Sequence, residues 1–193
     1  MDKNDELVLV VPTNDLFSKP FTGVIPMVNV HAKLTKALEN LDVKRRGDVE
    51  NDPSYKQLIS YVIIKNDKGE TLLYTRLSGG GEARLHGKSS IGIGGHMNPV
   101  DGIYGYQLLL ENTKRELLEE IGAEPIEIGL YGLVNDDSND VGQVHVGLVY
   151  IANIGNQEIT VTETDTLSVK WVLDTRFYEL ETWSQLLRDN HVV

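Results

Sequence analysis

The sequence predicts a single layered domain that mixes strands with a few helices, of the α/β or α+β kind, and three observations lead there. Strand-like runs recur, first as a hairpin at residues 58–77 and then at several points in the second half. Helical spacing of apolar residues appears near residues 28–41, 106–121 and 179–190. A chain of 193 residues, 40% hydrophobic, fills one core and is too short for two large ones.

Taken in order, Leu7–Val11 reads as a short buried strand ended by Pro12. Val30, Leu34, Ala37, Leu38 and Leu41 then mark a helix from Val28 to about Leu41. The polar stretch "KRRGDVENDPS" at 44–54 separates this part from the rest of the chain, so residues 1–56 read as an N-terminal strand–helix extension, packed on the domain or on a partner subunit. Leu58–Ile64 and Thr71–Leu77 form a hairpin about the turn Asn66-Asp67-Lys68-Gly69. The glycine-rich loop "SGGGEARLHGKSS" leads to a short strand, Ser90–Gly94. A helix comes next, from about Tyr106 to Ile121, closed by Gly122 at the usual left-handed cap position. Strands at Ile126–Val134, Gln143–Ala152, Gln157–Val161 and Ser168–Leu173, and a helix over "ELETWSQLLRDN", complete the chain.

Composition narrows the partners. A net charge of −11 argues against nonspecific binding to nucleic acid or an anionic membrane, both of which need a basic footprint. With no cysteine there is no disulfide, thiolate nucleophile or cysteine-ligated metal. The five-residue apolar run near the N-terminus, flanked by acids, is neither a signal core nor a membrane span, so a soluble cytoplasmic protein is expected.

The stretch "RELLEEIG" at 115–122 carries the chemistry. On a helical wheel Leu110, Leu117 and Ile121 share one side while Glu116, Glu119 and Glu120 fall on roughly the other. Like charges at i, i+3 and i+4 cost a helix about 0.2–0.5 kcal/mol per pair. A solvated face tolerates that cost, with Arg115 pairing to Glu119. A hard divalent cation, Mg²⁺ or Mn²⁺, instead turns the repulsion into binding.

Gly94 and Gly95 precede this helix, at a place where backbone can approach a ligand closely. Together these residues resemble the box of the Nudix hydrolase (MutT-like) family, G-x5-E-x7-R-E-U-x-E-E-x-G-U, with U aliphatic. Arg115, Glu116, Leu117, Glu119, Glu120 and Gly122 match its second half and Ala123 replaces the last aliphatic. Gly95 and Asp101 match the first half, with Asp for Glu. Thirteen residues separate Asp101 from Arg115 where the box has seven, and the extra ones fall around "GIYGYQ", residues 102–107, expected in the loop before the helix. The flanking "YVIIKNDKGETLLYTRL", "VHVGLVYIA" and "LSVKWVL" are similar to family strands, so the resemblance covers roughly residues 57–193, with the box at about 95–123.

The resemblance implies a Nudix-type α/β/α sandwich with a mixed sheet. It implies hydrolysis of the diphosphate linkage in a nucleoside diphosphate joined to another moiety, with Mg²⁺ as cofactor and Mn²⁺ as a substitute. Glu116, Glu119, Glu120 and Asp101 would hold metal, Glu119 or Glu120 would act as base, and Arg115 would orient carboxylates. Glu163 and Asp165 would be bases from outside the box. Arg76 and Arg84, with Lys88 beside them, are placed to meet phosphates, and Gly94, Gly95 and His96 to line the substrate. His145, between two valines, reads as a satisfied polar residue of the sheet. The partner is a small diphosphate, and the family suggests a homodimer. Two rivals remain: a Nudix module that senses a nucleotide without cleaving it, and an isopentenyl-diphosphate isomerase relative, whose active-site cysteine has no counterpart here.

Overall fold

In the computed structural model, residues 2–76, 88–161 and 167–193 are described. The strands are β1 (Leu7–Pro12), β2 (Thr22–Pro26), β3 (Asp42–Arg45), β4 (Tyr55–Lys65), β5 (Thr71–Arg76), β6 (Ser89–Ser90), β7 (Gly92–Ile93), β8 (Glu127–Asp136), β9 (His145–Asn153) and β10 (Leu167–Val172). The helices are α1 (Thr13–Leu16), α2 (Met27–Glu39), α3 (Arg46–Val49), α4 (Gly105–Ile121), α5 (Asp140–Val144) and α6 (Thr182–Asp189). They form one mixed sheet, ordered β10-β5-β4-β9-β8-β2, with helices on both faces.

β4 organises the rest. Its side chains alternate, so Leu58, Val62 and Ile64 enter one core and Tyr61 and Ile63 the other. The first core gathers Leu34 of α2 and Leu109, Leu117 and Ile121 of α4; the second lies under Leu187 of α6. Each such buried aliphatic side chain contributes about 1.5–3 kcal/mol relative to exposure. One edge of β4 pairs in parallel with β9 from Gln57 to Lys65. The other edge is shared in sequence by β1, an isolated bridge to His96, β7 and β5. Ser60 N donates to Gly95 O at 2.9 Å and Met97 N to Leu58 O at 3.0 Å, so the segment ahead of α4 is laced onto β4.

The sandwich and its mixed sheet are as expected; several elements differ. Residues 44–54 are not a plain separator: β3 pairs with β1, and α3 follows at once. β2, unread in the sequence, pairs with β8. Ser90–Gly94 is two strand pieces that turn at Ile91 from β5 to β4. Gln143 and Val144 end the short helix α5, whose start Asn139 caps by accepting from Gly142 N. Gln157–Val161 is no strand. Its first amide bonds back to Ile154 O, its side chain is held by Glu124 O and Ile154 O, and Thr160 N ties to the end of α4, which leaves no ladder to join. Half of the 102–107 insertion is the first turn of α4 rather than loop. Gly122, at φ 64°, closes that helix as expected.

Lys56 crosses the first core fully buried, its ammonium donating to Asp137 Oδ1 at 2.6 Å and to Gly142 O at 2.7 Å. Burial pulls its pKa down, and Asp137 opposes that. Lys56→Ala leaves the buried acceptors unpaired and should cost about 3–5 kcal/mol in urea unfolding. A loss under about 1 kcal/mol would show that water replaces the ammonium there.

Candidate functional site

One flank of α4 meets the laced segment 94–98, and Arg115 sits at that seam. Its Nη1 donates to Glu119 Oε2 at 2.8 Å, and its Nη2 lies 2.7 Å from Glu116 Oε1. Nη2 also reaches Asn98 Oδ1 at 2.8 Å and His96 O at 3.2 Å. Arg115 therefore grips two box carboxylates while its guanidinium is held from behind. The holder is Asn98: its backbone N donates to Asn112 Oδ1, and its side-chain Nδ2 donates to Glu6 Oε1 at 3.0 Å and Leu7 O at 2.8 Å. Nothing in the sequence marked Asn98 or Glu6. An Asn before a proline reads as a turn residue, and a contact across 92 positions leaves no local pattern.

The carboxylates are not all on a solvated face. Glu116 is only 7% exposed, because the segment 94–98 covers the helix flank that the wheel left open. Glu119 is exposed and Glu120 half-buried. Burial pushes the Glu116 carboxyl above its ordinary range; Arg115 opposes this, and Glu119 and Glu120 add to it. Gly95 makes that burial sterically feasible: a β-carbon there would come within 2.7 Å of Glu116 Oε2. Gly94, at φ 154°, lies so close to β4 that a β-carbon would meet Ser60 O at 2.0 Å.

His96 stands behind this seam. Its Nε2 lies 3.0 Å from Gln57 Oε1 and 3.1 Å from His145 Nε2, while His145 Nδ1 donates to Val141 O at 2.7 Å. With His145 Nδ1 protonated, His145 Nε2 accepts and His96 Nε2 donates. Burial, then the charges of Arg46 and His145, pull the His96 pKa down to about 3. Its ring is a neutral strut of the sheet, and what it offers the seam is its backbone carbonyl.

Asp101 is exposed in the turn that joins the segment 94–98 to the start of α4. Arg76 ends β5, where its backbone pairs with Leu167. Arg84, Glu163 and Asp165 lie outside the described residues. Among the described residues, no three His, Asp or Glu side chains already converge as a metal cluster. Tyr106 packs α4 on α2, stacking on His31 and meeting Thr35 Oγ1 at 3.1 Å. Arg45 and Arg46 are paired, to Asp5 and to Glu6 and Glu50.

No protein-family model matches the chain. It is 40% identical over 207 residues to Protein YmaB of Bacillus subtilis (strain 168), covering 98% of each. The crystal structure of Tm1382, a protein assigned to the Nudix hydrolases, superposes with a TM-score of 0.77 at 25% identity, over 97% of this chain and 98% of that one. The chain belongs to the Nudix hydrolase family. The MutT Nudix hydrolase of Burkholderia pseudomallei shares the fold at a TM-score of 0.54 and 21% identity, over 69% of this chain and 96% of its own. Tm1382 thus matches over nearly the whole of this Nudix chain, and the match extends into the first 56 residues. Among the described residues, no helix is long and apolar enough to cross a membrane.

Two outcomes are expected of this Nudix seam. Asn98→Ala removes the acceptor behind the Arg115 guanidinium and the donor to Glu6 and Leu7 O, and should cost about 1–3 kcal/mol in urea unfolding; an unchanged midpoint would mean Arg115 holds itself. The depressed His96 pKa means the unfolded chain binds more protons below about pH 6.5. The stability this neutral ring carries is therefore complete above that pH and is lost as pH falls toward 3. Tm should drop on acidification more steeply in the wild type than in His96→Gln.

Proposed function

We propose that this Nudix protein is a Mg²⁺-dependent hydrolase that cleaves the diphosphate linkage of a nucleoside diphosphate joined to another moiety. The observation that supports it most is the grip of Arg115 on Glu116 and Glu119, which assembles mutually repelling carboxylates beside a glycine backbone.

The donor set suits a hard divalent cation. It is all oxygen, and Glu116 is a buried carboxyl that burial and its acidic neighbours push upward, a strain that a cation relieves. Glu116, Glu119 and Glu120 would hold Mg²⁺, or Mn²⁺ in its place; bringing them together rests on rotation of the Glu119 and Glu120 side chains. When bound, the metal neutralises the diphosphate and lowers the pKa of a water.

The chain's own residues do the remainder. Arg115 keeps the Glu116 carboxylate turned toward the seam and shields it from repulsion by Glu119. Gly95 leaves the place beside Glu116 without a side chain, so the diphosphate can approach the backbone there, and Gly94 lets that backbone lie close against β4. Glu119 or Glu120, the two box carboxylates open to solvent, takes the proton of the attacking water. Asp101, in the turn that follows the segment 94–98, would be a further ligand.

The decisive experiment is release of phosphate or nucleoside monophosphate from a panel of diphosphate compounds, with Mg²⁺ and with chelator. Glu120→Gln should lower turnover by about two to four orders of magnitude while Tm stays put. Turnover that survives either the chelator or the substitution would overturn the proposal.

A further inference from the structure

Among the described residues β4 and β5 pair only at Lys65↔Thr71; β6 and β7 occupy the gap where they part. A cavity of about 200 Å³ opens in that gap. Gly94 and Ser60 line it on one side, and they adjoin Gly95, which touches Glu116. A diphosphate at the carboxylates therefore leaves its attached group at the mouth of this cavity. Its volume falls below the roughly 300–1,000 Å³ of sites that swallow whole ligands, so it suits one ring system.

The walls say which. Tyr61 lies across Gly92, where a β-carbon would meet its ring at 1.9 Å, and Trp183 meets Tyr61 edge-on at 5.6 Å between centroids. Tyr74 adds a third aromatic ring. Between them stands Glu181, and its carboxylate is fixed in place. Oε1 accepts from Tyr61 Oη at 2.5 Å, Ser184 N at 2.9 Å, Ser184 Oγ at 2.7 Å and Ser90 Oγ at 3.4 Å; Oε2 accepts from Trp183 N at 3.1 Å. A carboxylate offers about four acceptor sites. Four donors crowd Oε1, and Oε2, with one, keeps a place for a further donor.

Aromatic walls select a flat ring. An acceptor-only group between them selects a ring whose edge carries N–H, since an edge without a donor would cover the remaining acceptor site of Oε2 and leave it unmet. An isoprenoid tail fails on that count. We infer that this cavity takes the nucleobase of the nucleoside diphosphate substrate, with Glu181 accepting from its N–H edge and Tyr74 and Trp183 flanking the ring. The inference rests on the hydrolase reading of the neighbouring carboxylates, but base binding can be measured without turnover.

The test uses the full chain in a Trp171→Phe background, so that Trp183 alone reports by fluorescence. Titrated without metal, nucleoside monophosphates should quench it saturably and ribose 5-phosphate should not. Glu181→Gln should raise the nucleoside monophosphate Kd roughly tenfold to a hundredfold, the size of a lost hydrogen bond to a charged group. Quenching by ribose 5-phosphate equal to that by the nucleotides, or an unmoved Kd in Glu181→Gln, overturns the inference. If Glu181→Gln lowers Tm through its role at the start of α6, Tyr74→Leu decides instead: weakened nucleotide binding supports the assignment and unaltered binding ends it. Glu181-dependent base binding in a protein that cleaves nothing would leave this cavity assigned and overturn only the hydrolase reading.

Discussion

The lacing of residues 94–98 onto β4 is the constraint on which the rest of the site depends. Two backbone hydrogen bonds, Ser60 N to Gly95 O and Met97 N to Leu58 O, fix where this segment runs. Once it is there, α4 must pack against it. Gly94 and Gly95 then meet β4 and Glu116 with no room for a side chain, and Asn98 arrives within reach of Arg115. The same edge of β4 also creates the gap toward β5. Backbone pairing thus sets where the seam runs, and the contacts of Arg115 with Glu116, Glu119 and Asn98 are made across it.

The electrostatics are consistent with a site in waiting rather than with a stabilising ion cluster. A buried carboxylate with two acidic neighbours is costly, and one guanidinium shared between two carboxylates offsets only part of that cost. The result is an acid whose proton affinity is raised at the place where positive charge would be most welcome. Behind it the protein removes charge: His96 and His145 are neutral struts, and Arg46 is committed to Glu6 and Glu50.

The sandwich and the helix that carries the box were legible because both are written in local periodicity. Alternation in β4, the 3.6-residue spacing of Leu110, Leu117 and Ile121, and Gly122 as a cap each report on neighbours a few residues away. What escaped was non-local. β2 and β3 are polar or mixed in pattern and take their strand geometry only from partners, β8 and β1, distant in sequence. The burial of Glu116 escaped for a related reason. A wheel knows only one helix, and the segment that covers this flank comes from the turn before it. Gln157–Val161 shows the converse, an alternating run with no edge to pair with.

The reach of Glu6 and Leu7 to Asn98 has a consequence for how the site comes into being. These two residues precede the box by some 90 positions, yet they hold the side chain that holds Arg115. During synthesis the box helix can form as soon as it emerges, since its hydrogen bonds are local. The seam cannot be completed until the earliest strand has found its place along β4, a non-local closure of the kind that slows folding. The geometry of the seam and the integrity of the chain's first strand are therefore acquired together, and a partly folded chain with a fully formed α4 still lacks a finished seam.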